Sequence, residues 1–147
     1  MRTPLSKLAR MAESEFARRL RESNSGRLFG FQLEVAEPGR AVVLLRVRSK
    51  HRQVHGVVHG GILAALADTA AGVACYMLLP RGTRLATIEM KINYLEPVEK
   101  GTILAEARVL RKGRTTAVAE CDVRETTGLL VAKALLTFSI GSRERKA

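Results

Sequence analysis

Residues 61–79, GILAALADTAAGVACYMLL, form an apolar run that carries a single charge, Asp68. Pro80 and the PRGTR turn stop a helix there, so the run predicts one long helix over 61–79. A helix apolar on nearly every side must be covered on nearly every side. One sheet can do this only by curling around it, and the face left over must meet another helix or another subunit. A membrane span is the competing use of such a run. An acid at the centre of a span costs about 2.5–3.5 kcal/mol on insertion scales, and the run is Ala-rich and flanked by strands that need a core, so a buried helix is expected instead.

The rest of the chain supplies that sheet. LFGFQLEVAEPGRAVVLLRVRS (28–49) divides into two strands around EPGR, where proline then glycine suits a type II turn. In ATIEMKINYL (86–95) the period is two: Ile88, Met90, Ile92 and Tyr94 share one face, Thr87, Glu89, Lys91 and Asn93 the other. TILAEARVL, TTAVAECDVR and LLVAKALLTFSI follow, separated by RKGR and ETTG. Four consecutive strands with short turns predict an antiparallel meander. Ahead of all this, Thr3-Pro4 suits a helix start, and Leu5, Leu8, Ala12, Phe16 and Leu20 recur at helical steps, ended by SNSG. A short amphipathic helix over about 4–22 is expected to pack as a flap. The fold class is therefore α+β: about six antiparallel strands wrapped around one central helix, with a short N-terminal helix. The expected division is helix and linker at 1–26, the domain at 27–141, and a basic tail at 142–147.

With 147 residues the chain has room for one domain. Its net charge of +11 favours anionic partners, although the middle third is close to neutral. With four Phe, two Tyr and no Trp, it lacks the aromatic platforms of a single-strand nucleic-acid surface, so no nucleic acid is expected. Cys75 and Cys121 stand apart with no metal spacing and read as buried thiols of a reducing compartment. The N-terminus has no apolar secretory core, so the expected location is cytoplasmic. His51, His55 and His59 recur every four residues, but Gly56, Gly60 and three valines make a poor helix of that stretch, and no metal is expected.

A carboxylate inside an apolar helix must be hydrogen-bonded, protonated or functional. Gly60 and Gly61 sit where the helix begins, and a helix N-terminus offers unpaired N–H groups that hold an anion or a developing oxyanion. Gly61 and Asp68 share a face but stand about 10 Å apart along the axis, whereas reacting atoms must come within about 3–3.5 Å. One helix cannot bring its own acid to a carbonyl held at its own start. Two antiparallel copies across a two-fold axis could, which points to a site shared between subunits.

GVVHGGILAALADTAAG followed by ATIEMKINYLEPV resembles the PaaI-like branch of the hotdog-fold acyl-CoA thioesterases, over about residues 27–141. The carriers are His-Gly-Gly, an acid nine residues after that histidine, and a later Asn-Tyr-x-x-Pro. The resemblance implies a hotdog fold and hydrolysis of an aromatic or fatty acyl-CoA to free acid and CoA, without a cofactor. It makes Gly60 the N–H donor to the thioester carbonyl and Asp68 the general base or nucleophile. Gln53, where many relatives carry Asn, would position water or carbonyl, and Thr87 would assist the water. His59 would shape the turn, with Gly61 beside the substrate. Arg84, Lys91, Arg111, Lys112 and Arg114 are candidates for the CoA phosphates, and a homodimer or homotetramer is implied. The rival readings are a non-catalytic acyl-CoA-binding hotdog module and a hotdog hydratase.

Overall fold

The computed structural model describes residues 15–143. The expected helix start at Thr3-Pro4 and residues 144–147 of the basic tail lie outside them. Residues 15–22 are helical (α1) and a bend at Ser23 leads into α2 (Asn24–Phe29). Six strands follow: β1 (Gln32–Glu37), β2 (Arg40–Arg46), β3 (Thr83–Tyr94), β4 (Thr102–Lys112), β5 (Thr116–Glu125) and β6 (Leu130–Arg143). The long helix α3 (Gly60–Tyr76) falls between β2 and β3. It starts one residue earlier and stops three earlier than the apolar run suggests, because Met77–Leu79 close into turns with their N–H groups on Val73, Cys75 and Tyr76 carbonyls.

The strands form one antiparallel sheet in the order β1-β2-β4-β5-β6-β3, and α3 packs against all six. Its inner face is rich in alanine: Ala41, Ala105, Ala107, Ala117, Ala119, Ala132 and Ala134 are buried. Small side chains there let the sheet close onto the helix, while Val43, Leu45, Ile103, Val123, Leu136 and Phe138 fill the spaces around it. The outer face carries ion pairs, among them Arg40 with Glu106 and Lys133 with Glu120. Cys75 and Cys121 are free buried thiols, pushed by burial up to about 11 and about 12.

Two expectations need correction. Only β4, β5 and β6 form a meander. β3 pairs with β6 and not with β4, at the far edge of the sheet. Its link to β4, residues 95–101, is an overpass, tied down by Val58 N–H on the Val98 carbonyl and Val47 N–H on that of Gly101. Such a link must cross about 14 Å of strand spacing, within the reach of seven extended residues. The second correction concerns Leu28–Gly30, which are not strand. Ser23 caps α2, donating to the Leu20 carbonyl (2.8 Å) and accepting from Gly26 N–H (3.0 Å). Gly30 closes the helix at φ 75°, a left-handed cap that glycine takes without strain.

α1 behaves as a flap. Phe16 and Leu20 pack against the core, and the Phe16 and Tyr76 rings lie 5.1 Å apart. Arg81 in the turn after α3 pairs with Glu15.

Candidate active site

His51 anchors the loop that leads into α3. Its Nδ1 accepts from Arg48 N–H (3.0 Å), so the proton must sit on Nε2, which donates to the Phe29 carbonyl (2.8 Å). The His51 carbonyl in turn accepts from His59 N–H (2.9 Å). The ring is buried, and that burial pulls its pKa below the usual histidine value, against the Phe29 bond that raises it and with the positive Lys50 and Arg48 lowering it further. A second proton on Nδ1 would break the Arg48 bond. The stabilisation is therefore complete above the unfolded-state pKa of about 6.5 and lost as pH falls through the lower folded value. The stability of wild type to urea should fall as pH drops below about 6.5. His51→Gln, which keeps a donor and an acceptor but does not titrate, should lose that part of the slope. Equal slopes would remove His51 from the account.

Beyond His51, Arg52 and Val58 form a bridge that closes residues 53–57 into a loop. The Gln53 side-chain oxygen accepts from His55 N–H inside that loop. That oxygen is committed to the turn, leaving the NH2 end as the group Gln53 could offer. The three histidines do not share a helix face, because His51 ends a 3₁₀ turn and His59 caps α3.

At the start of α3, His59 Nδ1 accepts from Gly61 N–H at 2.8 Å. The Gly61 N–H is thus taken by the cap. The Gly60 N–H, in contrast, has no acceptor among the described residues. It belongs to a peptide whose carbonyl, on His59, accepts from Ile62 N–H (2.9 Å) and Leu63 N–H (3.4 Å). Those bonds polarise the peptide and strengthen its free donor. Both glycines are needed for room rather than for unusual dihedrals. A Cβ on Gly60 would stand 3.0 Å from the Tyr94 ring, and one on Gly61 3.0 Å from His59 Nδ1.

Two turns further along, Thr87 Oγ1 donates to Asp68 Oδ1 at 2.6 Å, in the range of a charge-assisted O–H···O⁻ bond. Asp68 is half-buried rather than enclosed. It lies on the face of α3 that the sheet leaves uncovered, with Ala65, Thr69 and Gly72. On that face Thr69 Oγ1 donates back to the Ala65 carbonyl (2.8 Å).

Strict alternation would turn Thr87 away from the helix that Met90, Ile92 and Tyr94 face. A β-bulge reconciles them. Thr87 pairs with Phe138 and Glu89 with Thr137, so two steps on β3 match one on β6 and Ile88 is the extra residue. The parity changes at Ile88, which is exposed. Thr87 and Tyr94 both reach α3, while Glu89 turns outward to accept from Thr137 Oγ1 at 2.8 Å. Bulges of this kind re-aim side chains beside sites.

Tyr94 is the residue that sequence reasoning missed. Its hydroxyl donates to the Gly60 carbonyl at 2.8 Å. The groove beside it, about 410 Å³, is lined by Val57, Val58, Gly60, Leu63, Tyr94 and Val98, among others. The basic candidates do not meet Asp68 or Gly60. Arg84, Arg111, Lys112 and Arg114 gather at the sheet end where β3 starts, since Lys112 pairs with Ala117 and Ser139 with both Thr116 and Ala86. Lys91 stands on the outer face with Glu89.

Comparison with known proteins adds the following. The family described as "Thioesterase superfamily" matches residues 55–132. Human acyl-coenzyme A thioesterase 13 is 31% identical over 109 residues, 73% of this chain and 77% of that protein. A conserved protein of Pseudomonas aeruginosa superposes with a TM-score of 0.79 at 36% identity, covering 84% of this chain and 98% of that one. A variant of the phenylacetic acid degradation protein PaaI of Thermus thermophilus superposes with a TM-score of 0.73 at 30% identity, covering 80% and 98%.

Proposed function

The chain belongs to the thioesterase superfamily, as a PaaI-like hotdog thioester hydrolase, and from that premise we propose that it hydrolyses an acyl-CoA at a site assembled from two copies of α3. The observation that carries this reading is the pairing of Asp68 with Thr87 at 2.6 Å on the uncovered face of a helix whose first N–H, on Gly60, is unspent. The relative named as an acyl-coenzyme A thioesterase supports the choice of substrate.

The chemistry follows from those two groups. The thioester oxygen accepts from Gly60 N–H, which stabilises the negative charge as the carbonyl becomes tetrahedral. Asp68 either takes a proton from the attacking water or attacks the carbonyl itself, giving an anhydride that water then opens. The tetrahedral centre collapses, the C–S bond breaks, and the CoA thiolate leaves. Thr87 holds one oxygen of the carboxylate and leaves the other to act. The Gln53 amide N–H is a further donor to water or carbonyl. The CoA phosphates would fall to the basic cluster of Arg84, Arg111, Lys112 and Arg114. Lys91, on the outer face, is the candidate least suited to that task.

Sharing between subunits follows from distance. Gly60 and Asp68 are eight residues apart on one helix, about 12 Å of rise. A partner helix running antiparallel would set its Asp68 against this Gly60, and would cover the stripe of small residues. The test is thiol release from aromatic, medium-chain and long-chain acyl-CoAs. Release from at least one class is expected; none from any class defeats the reading. Mass in solution tests the sharing separately, and a strict monomer that still turned over would refute it.

A further inference from the structure

The peptide unit joining Gly60 to Gly61 is held at both polar ends. Its carbonyl accepts from Tyr94 Oη at 2.8 Å, and its N–H donates to His59 Nδ1 at 2.8 Å. The Tyr94 ring also lies flush on Gly60, where a Cβ would be 3.0 Å from Cζ and 3.2 Å from the hydroxyl oxygen. This grip sits at a place that would otherwise be loose. Glycine has the widest backbone freedom of any residue, and the first N–H groups of a helix lack intrahelical partners to hold them. An N–H that stabilises an oxyanion is effective only when it is fixed before charge develops.

We propose that Tyr94 is a positioning residue for the thioester reaction: by bonding the carbonyl of the Gly60–Gly61 peptide and packing on the Gly60 Cα, it holds Gly60 in place, and with it the free N–H on the preceding peptide, whose own carbonyl is tied to Ile62 and Leu63 N–H. The inference rests on the thioesterase reading of Gly60. His59 supplies the other half of the hold, acting from the cap position within the same turn, whereas Tyr94 comes from the edge strand thirty-four residues on. The first turn of α3 is thereby registered against β3, the strand that also carries Thr87. One strand sets both the carboxylate, through Thr87, and the donor, through Tyr94.

Tyr94→Phe isolates the hydroxyl, because the ring that packs on Gly60 remains. In the intact protein the variant should lower kcat about three- to tenfold, the equivalent of one net hydrogen bond, with KM little changed. A role confined to folding would lower the melting temperature and leave kcat per folded molecule alone. A second readout needs no turnover. Amide exchange at Gly61 should be slow in wild type and faster in Tyr94→Phe, since the peptide it belongs to has lost one anchor. Wild-type kcat in the variant, a loss confined to KM, or unchanged exchange at Gly61 would each overturn the proposal. Should wild type release no thiol at all, the function reading fails, and the exchange experiment still decides whether Tyr94 holds the peptide.

Discussion

Asp68→Asn should fold as wild type does and lose about 10²- to 10⁴-fold in kcat, the range for a positioned acid–base group. The substitution removes the charge and the basicity but keeps the shape. Thr87 Oγ1, which donates to Asp68 Oδ1 at 2.6 Å, can donate equally to an asparagine oxygen, so the side chain stays where it is. Asp68 is half-buried on the uncovered face of α3 and forms no ion pair among the described residues. Its replacement therefore strands no buried charge, and the change in unfolding free energy should stay within about 0.5 kcal/mol. Stopped turnover with unchanged unfolding is the signature to look for, measured as thiol release alongside urea denaturation. Full activity in Asp68→Asn would remove the carboxylate from the mechanism while leaving the hydrolase in place. KM is expected to move little, because the residue acts on water or the carbonyl carbon rather than on the CoA moiety.

The helix that carries this acid was the most legible part of the chain. A long apolar run broken only by Asp68 can be little else, and its need for cover implied the curled sheet. Local alternation gave the strands, since each inward side chain is set by its immediate neighbours. The place of β3 was not legible, because pairing with β6 rather than β4 depends on an overpass and not on any turn signal in LEPVEKG. The bulge at Ile88 was equally hidden. Isoleucine suits regular strand, and nothing nearby announces an extra residue, so period two puts Thr87 on the face away from α3, whereas the bulge turns it to Asp68. Two further features have their signal in the local sequence. Ser23 ahead of Asn24 and Gly30 after Phe29 spell both caps of α2. The tyrosine of Asn-Tyr-x-x-Pro belongs to the motif that carries the resemblance, yet its hydroxyl bond to Gly60 needs a register that only the fold supplies.

Gly60→Pro should lower kcat about 10²- to 10³-fold, the effect of deleting one oxyanion donor. A backbone N–H can rarely be removed without harm, but this one can. Gly60 is the first residue of α3, the position where proline is tolerated because the N–H has no intrahelical partner and the fixed φ already suits a helix. Proline also restricts the residue before it to extended backbone, and His59 is there already, at φ −61° and ψ 131°. The remaining hazard is steric. Any Cβ at position 60 meets the Tyr94 ring at 3.0 Å, so part of the loss would come from disturbing Tyr94. Gly60→Ala carries the same Cβ and keeps the N–H, which makes it the control. The ratio of kcat between Gly60→Ala and Gly60→Pro, taken at matched folded fractions, isolates the donor. A ratio near one would mean that the oxyanion is held elsewhere, and the geometry would then favour the Gln53 amide. A ratio of about 10² or more would place the developing charge at the start of α3, where the helix macrodipole is positive and adds to the same stabilisation.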